Sequence, residues 1–342
     1  MTTPTPTFTT PAPSAPTLTA APELSCYTTN LVSYLRPWIP DVDVRLAHAV
    51  RLSVRTDAPG GELAFSHHGR IDRTPDGQQL GYRGSGNWAY AKAALDRELA
   101  LNGRVLACGN TRYLSWSPAF GLVDVPHWVL LERAAGGRWR LTDHFSALLP
   151  QGEQRPFAGT LDDDELRAAL TPVGRQVPEY ALRDTFALGE AVPVSSPMEY
   201  RWLVREPVTA AHPRRGTWVS EPLAVLSFLG ERLSQDADAL ARNADDVWAA
   251  ARHHQHRLAV LAEAGLLSPS IAAEAAASWG ELPRSLRFAV VSGQRGRPRP
   301  GLVAKAFDDV LDTMSRLVTE PRAVTDSRAA TESRAVTEER SR

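Results

Sequence analysis

Cysteine is scarce in this chain, and it has neither a long apolar run nor a marked excess of one charge. The 342 residues contain two cysteines, fewer than a secreted disulfide scaffold usually carries. No apolar run approaches the ~18 residues of a membrane-spanning helix. The formal net charge of −1 lacks the basic excess typical of nucleic-acid-binding proteins. These absences argue against a disulfide-stabilised, membrane-embedded or nucleic-acid-binding protein.

The N-terminal residues also lack the basic segment and apolar core of a secretory signal. We therefore expect a reducing, cytoplasmic environment, in which a thiol remains available as a nucleophile. The sequence contains no nucleotide-binding loop motif, and we expect neither a cofactor nor a metal.

Low-complexity segments stand at both ends. Residues 1–22 are almost entirely Thr, Pro, Ala and Ser, which predicts a disordered arm. Residues 321–342 repeat a hexad that begins at Arg322, and their low apolar content predicts a disordered, charged tail. Between these ends we predict a catalytic domain over residues 23–172 and a mainly helical accessory domain over residues 173–320.

The first half mixes helical and strand patterns. Apolar spacing predicts helices over residues 27–37 and 88–101. Residues 42–55, 104–108 and 113–116 contain β-branched and aromatic residues that favour strands. The expected architecture is therefore α+β, with an antiparallel sheet.

The second half is mainly helical. Ser220 is expected to cap a helix that has Pro222 in its first turn, and a longer amphipathic helix follows. Residues 269–279 and 302–318 predict two more helices. The basic loop over residues 294–299 fits a solvated connection or a phosphate contact.

Cys26 stands immediately before the predicted first helix. A helix N-terminus offers free backbone N–H groups and a partial positive charge. Both stabilise a thiolate, and the N–H groups can also bind a developing oxyanion. Position alone leaves open that Cys26 is a small buried core residue.

A hairpin supplies the partners that a nucleophile needs. Residues 127–132 and 138–143 are apolar-rich runs joined by a glycine-containing loop. His127 opens the first strand and Asp143 closes the second, so simple pairing places them nearly opposite each other. The acid would orient the imidazole, and the imidazole would act as base for Cys26. An ordinary surface His–Asp pair stays open as the alternative.

Other candidate residues carry weaker signals. Cys108 lies within a predicted strand and fits the core. The histidine pairs and clusters lack ligand spacing typical of zinc sites, and His254 fits a packed helix face. A reserve base and a reserve acid are His144 and Asp124.

The order of these elements resembles the butirosin biosynthesis protein H family, whose N-terminal domain is related to papain-like cysteine peptidases of the bacteriocin-processing type. Residues 23–170 carry the resemblance. Its five elements are Ser25–Leu31 around the cysteine, the strand leading to Tyr113-Leu114, the strand Pro126–Leu131, the strand Trp139–Asp143 and the helix Leu161–Leu170.

The resemblance implies a papain-like fold and a Cys26–His127–Asp143 triad. It further implies an acyltransferase that takes an aminoacyl group from the phosphopantetheine thioester of a carrier protein and gives it to an amine of a natural-product intermediate. The sequence departs from the family at His144, where proline is usual, and at Asn110. No glutamine precedes Cys26, so the second oxyanion donor is unassigned; Asn30 and Asn110 are the candidates.

Three functions stay open at this point. The first is carrier-dependent acyl transfer to an amine, with an acyl or peptidyl carrier protein as partner. The second keeps the triad but hydrolyses the acyl-enzyme, as a thioesterase or peptidase, or cyclises it to an amide or imine. The third is a non-catalytic carrier- or partner-binding module. A homodimer also stays open.

Overall fold

A computed structural model describes residues 23–175, 177–210 and 214–319. The predicted arm over residues 1–22 and the predicted tail over residues 321–342 lie outside these ranges.

The described chain is mixed α+β, with antiparallel sheets and a helical C-terminal region. Its helices are α1 Cys26–Leu35, α2 Val42–Ala49, α3 Trp88–Asn102, α4 Asp163–Ala169, α5 Pro178–Phe186, α6 Pro222–Gln235, α7 Ala237–Glu263, α8 Pro269–Gln294 and α9 Pro300–Thr319. Its strands are β1 Val50–Arg55, β2 Ala64–His68, β3 Gln78–Ser85, β4 Arg104–Asn110, β5 Pro126–Arg133, β6 Trp139–Asp143, β7 Ala147–Leu149, β8 Gly152–Gln154, β9 Phe157–Leu161, β10 Tyr200–Pro207 and β11 Trp218–Val219.

The central sheet has six antiparallel strands in the order β3-β10-β4-β5-β6-β9. One face packs against α1 and α2 through a core that includes Leu31, Trp128 and Leu130. The other face packs against α3 and α4 through a core that includes Val129 and Trp139. Residues of one strand alternate between the two cores because successive side chains point to opposite faces.

The helical region forms a third core. Helices α6 to α9 bury their apolar faces against one another and against the small sheet β11-β1-β2. The predicted stripe on α7 is confirmed, since Leu240, Val247 and Leu258 are buried there. The domain boundary after residue 172 stays a prediction; β10, which follows it, hydrogen-bonds between β3 and β4 in the central sheet.

Three local predictions are wrong. Residues 42–49 form a helix rather than a strand, because Val42, Leu46 and Ala47 share a helical face that is buried. Tyr113–Trp116 is a turn region, because the Asn110 side chain accepts the Arg112 N–H and begins a 3₁₀ turn. Glu221, not Ser220, caps α6 by accepting the N–H groups of its first turn.

The hairpin forms with a register that differs slightly from simple pairing. Leu130 lies opposite Thr142, so continuing the register places Asp143 across from Val129 rather than from His127. His127 and Val129 project to the same face because they are two residues apart. His127 and Asp143 are therefore diagonal neighbours on adjacent strands, a separation that long side chains still bridge.

The packing of α1 on the sheet generates a stability prediction. Leu31 is fully buried against the central sheet, whereas Leu101 in α3 is 72% exposed. We expect Leu31→Ala to lower the free energy of unfolding by about 2–5 kcal/mol. Leu101→Ala, the same change at an exposed helical site, should shift it by less than about 0.5 kcal/mol. Urea unfolding followed by circular dichroism measures both, and equal effects would contradict this placement of α1.

Candidate active site

Cys26 is the first residue of α1, and its helix N-terminus is capped. The Ser25 side chain accepts the Thr28 N–H at 3.3 Å, and the Thr29 N–H donates to the Ser25 carbonyl. Helix geometry leaves the N–H groups of Cys26 and Tyr27 without an intrahelical acceptor. The thiol therefore lies beside two backbone donors and the positive end of the helix.

His127 and Asp143 form a direct, buried pair. The His127 Nε2 atom lies 2.8 Å from Asp143 Oδ2, and the side chains are 6% and 0% exposed. Because Nε2 faces the acid, Nδ1 is the ring nitrogen left for a second partner. Cys26 lines the same cavity as His127, and its side chain is among the neighbours that raise the pKa of the imidazole. The structure thus brings the three predicted residues together. His127 lies between Cys26 and Asp143, as a base between a nucleophile and an orienting acid would.

The charges of these neighbours determine the protonation of His127. Burial lowers the pKa of His127. The interactions with Asp143 and Cys26 raise this pKa by more than burial lowers it, so it lies well above its ordinary value. For Asp143, burial acts to raise the pKa, and His127 and the other donors outweigh it and lower the pKa. The Asp143 carboxylate therefore favours a charged imidazolium at His127.

Asp143 accepts hydrogen bonds from several donors in addition to His127. Oδ2 also accepts the indole N–H of Trp116 at 2.9 Å. Oδ1 accepts the backbone N–H of Phe145 at 3.0 Å and the Asn30 amide at 3.3 Å. Gln154 donates at 3.5 Å. These donors replace the water that a buried carboxylate would otherwise require.

Asn30 connects the nucleophile helix to the hairpin. Its amide donates to the carbonyls of Cys26 and Trp128, at 3.1 and 2.8 Å. Its oxygen accepts the backbone N–H of His144. The Asn30 side chain is thus a positioning group, and the expectation that it serves as oxyanion donor is wrong. Asn110 instead donates to Asp124 at 3.0 Å, so it is no oxyanion donor either.

A second contact that holds the first turn of α1 comes from the helical region. His253 of α7 is fully buried, and its Nε2 lies 2.9 Å from the Thr28 hydroxyl. That hydroxyl lies 3.0 Å from the Ser25 hydroxyl that caps α1. Burial first, and then the neighbouring histidines, keeps the pKa of His253 well below its ordinary value. A neutral imidazole therefore fixes the first turn of the nucleophile helix.

The remaining candidates lie outside the catalytic geometry. His144 contacts the Ser33 hydroxyl at 2.8 Å, and Asp124 pairs with Arg112 at 3.5 Å. Cys108 is buried in β4 as predicted, where burial raises its pKa to about 11. His254 is packed as predicted, with its ring stacked on Trp279 at 4.3 Å.

Sequence reasoning missed Trp116, Asn30 as a positioning residue, and His253. Nothing in the local pattern around Trp116 signals a bond to an acid 27 residues later. Asn30 follows Cys26 by one helical turn, so the sequence predicts that both lie on the same face of the helix. The bond from Asn30 to Asp143 cannot be predicted in this way.

Cys26 and His127 face a cavity of about 260 Å³ that both halves of the chain line. The first half contributes Cys26, His127 and Phe145, and the helical region contributes Trp248 and Arg287. Phe145 contacts the His127 ring at 5.5 Å and the Trp248 ring at 6.1 Å between centroids. The cavity thus gives a substrate access to the thiol while aromatic rings cover the imidazole.

Among the described residues, no group of three or more His, Cys, Asp or Glu side chains is arranged to hold a metal ion. None of the helices in the described ranges combines the length and apolar character needed to cross a membrane.

No protein-family model matches the chain, and no curated protein matches it.

The buried pair generates a prediction on pH dependence. The pKa of His127 is raised in the folded state, so its stabilising contribution is complete below its unfolded pKa of about 6.5 and is lost as the pH rises through the folded value. Asp143→Asn removes the charge that raises this pKa. We expect the Asp143→Asn variant to lose more unfolding free energy at pH 5.5 than at pH 9, because the stabilising charge pair is complete only at the lower pH.

Urea unfolding at the two pH values measures this difference. Asp124→Asn is the matched control, because Asp124 is 41% exposed and pairs with Arg112 rather than with a histidine. A loss that is the same at both pH values for Asp143→Asn would show that His127 is not charged in the folded protein.

Proposed function

We propose that this chain is a cysteine acyltransferase with a papain-like catalytic domain, in which Cys26 is the nucleophile, His127 the base and Asp143 the orienting acid. The observation that carries the proposal is the arrangement of the three side chains: a thiol at a capped helix N-terminus, in the same cavity as an imidazole whose Nε2 is held by a buried carboxylate. This arrangement matches nucleophilic acyl transfer.

The first half-reaction is acylation of the enzyme. The Cys26 thiolate attacks the carbonyl carbon of a thioester, and a C–S bond forms as the carbonyl oxygen becomes an oxyanion. The free N–H groups of Cys26 and Tyr27 are placed to donate to that oxyanion. The oxyanion then collapses, the original C–S bond breaks, and the departing thiolate takes the proton of the His127 imidazolium.

The second half-reaction transfers the acyl group. An amine attacks the acyl carbon, His127 takes a proton from the amine, and the bond to Cys26 breaks to regenerate the thiolate. Asp143 keeps Nε2 occupied, so that Nδ1 is the atom that exchanges protons in both halves. A thioester has a good leaving group, so no additional strong acid is needed.

The proposed donor is an acyl or peptidyl carrier protein with the acyl group on phosphopantetheine, and the proposed acceptor is a small-molecule amine in specialised metabolism. These assignments rest on the family resemblance of residues 23–170. A reducing cytoplasm is the compartment in which a free Cys26 would persist.

Intact-mass spectrometry tests the covalent step. We expect the parent protein, mixed with acyl thioesters of N-acetylcysteamine, to gain the mass of one acyl group, and Cys26→Ala to gain none. His127→Ala should slow acylation by about 10²–10⁴, the usual contribution of a general acid–base group. Cys108→Ala is the control, because this second cysteine is buried in β4 and should leave acylation unchanged.

Adding amines to the acyl-enzyme then separates the open functions. Amide product formed faster than free acid supports transfer, and release of free acid whatever the amine supports a hydrolase. Intramolecular product supports a cyclase. An adduct that survives in Cys26→Ala, or no adduct with any thioester, would overturn the proposal in favour of a binding module.

A further inference from the structure

The cavity beside Cys26 has two chemically different walls. An apolar wall is formed by the loop over residues 111–125 and the β7–β8 hairpin, and its cavity-lining side chains are Ala119, Val123, Val125, Leu148 and Leu149. A charged wall is formed by β2, α5, α7 and α8, and its charged and histidine side chains are His67, His68, Arg183, Asp245, Asp246 and Arg287. The second set of elements also contributes aromatic rings, among them Phe65 and Phe186.

The apolar wall adjoins the reacting atoms. Val125 and Pro126 lead directly into His127 along the chain and line the cavity with it. Phe145, two residues beyond Asp143, packs on the His127 ring. An acyl group bound through its carbonyl carbon to Cys26 would therefore find apolar side chains next to the carbonyl.

The apolar wall is also preformed. The Thr111 hydroxyl donates to the Val123 carbonyl at 2.7 Å and accepts the Val125 N–H at 3.2 Å. The Val123 N–H donates to the Ala119 carbonyl at 3.3 Å. These bonds hold the loop in place without a ligand, so little ordering would oppose binding.

The largest charges on the opposite wall are already paired. Arg183 donates to both oxygens of Asp246, at 3.0 and 2.7 Å. Asp245, 3.9 Å from the same guanidinium, is 74% exposed. Among the described residues that line the cavity, no buried carboxylate is therefore left unpaired for an ammonium group, which would lose its hydration on entering.

Resting on the proposed function, we infer that the acyl group carried by Cys26 is apolar, a short alkyl or aryl chain bound at the apolar wall, rather than an aminoacyl group. The cavity volume suits this size. A protein cavity of ~150 Å³ binds benzene, and about 260 Å³ holds such a ring with space left for the acceptor amine. The paired and exposed charges of the opposite wall face that remaining space.

An isosteric pair of thioesters tests the inference on the parent protein. Butyryl- and β-alanyl-N-acetylcysteamine have the same number of heavy atoms and differ by a terminal methyl in place of an ammonium group. We expect the butyryl thioester to acylate Cys26 at least tenfold faster at pH 7, once each rate is divided by that with glutathione. Phenylacetyl should likewise exceed acetyl at least tenfold, because each buried methylene corresponds to about fourfold.

A matched pair of variants locates the binding wall. Val123→Trp places a large ring in the cavity and should slow phenylacetyl transfer at least tenfold more than it slows acetyl transfer. Leu122→Trp makes the same change one residue away, at a side chain that is 66% exposed and does not line the cavity, and should leave both rates unchanged.

The outcomes separate this inference from the function on which it rests. A β-alanyl rate equal to or above the butyryl rate, with the adduct still on Cys26, would overturn the inference alone. No adduct from any of the four thioesters would overturn the proposed function. A Val123→Trp variant that slows acetyl and phenylacetyl transfer equally would contradict binding of the acyl chain at this wall. The comparison of butyryl with β-alanyl uses the parent protein alone, so it does not depend on the folding of any variant.

Discussion

The buried carboxylate of Asp143 is the constraint on which the site depends. A fully buried anion is unfavourable unless donors replace its lost hydration. Here the donors come from separate parts of the chain: His127 on β5, Trp116 in the preceding loop, Asn30 on α1 and the backbone of Phe145. Satisfying one charge therefore requires the helix, the loop and the hairpin to meet at one point, which is also the point where the thiol and the imidazole meet.

The nucleophile is fixed from two directions. Asn30 holds α1 to the sheet through the Cys26 and Trp128 carbonyls, and His253 holds the first turn through Thr28. The second contact comes from α7, in the helical region. The helical region therefore does more than line the cavity, because it also holds the first turn of α1. A shift of α7 would move the backbone N–H groups of Cys26 and Tyr27, which are the proposed oxyanion donors. Geometry of this kind has to be held closely for catalysis.

Much of the fold follows from local patterns. The hairpin, the helices of the second half and the helix after Cys26 have strong periodicity and explicit ends, and Gly136 and Gly137 adopt the positive φ that the hairpin loop needs. The helix at residues 42–49 was missed because two valines suggested a strand while its buried face depends on packing against α1 and α7. The predicted pairing of His127 with Asp143 was confirmed, but along a diagonal, because register depends on loop conformation as well as on loop length. Trp116 and His253 were unpredictable because their partners are 27 and 225 residues away.

The distribution of charge explains how the buried His127–Asp143 pair can lie beside an apolar cavity. Asp143 is surrounded by donors and lies behind His127, so its charge acts on the imidazole and not on a substrate. Arg183 and Asp246 neutralise each other by direct hydrogen bonds, so their charges add little net field in the cavity. What remains beside Cys26 is a low-polarity space bounded by Val125, Pro126 and Phe145. In the proposed reaction, the two N–H groups at the start of α1 would act on an oxyanion in such a space with little competition from water. The apolar lining that we propose selects the acyl group would therefore also strengthen its activation.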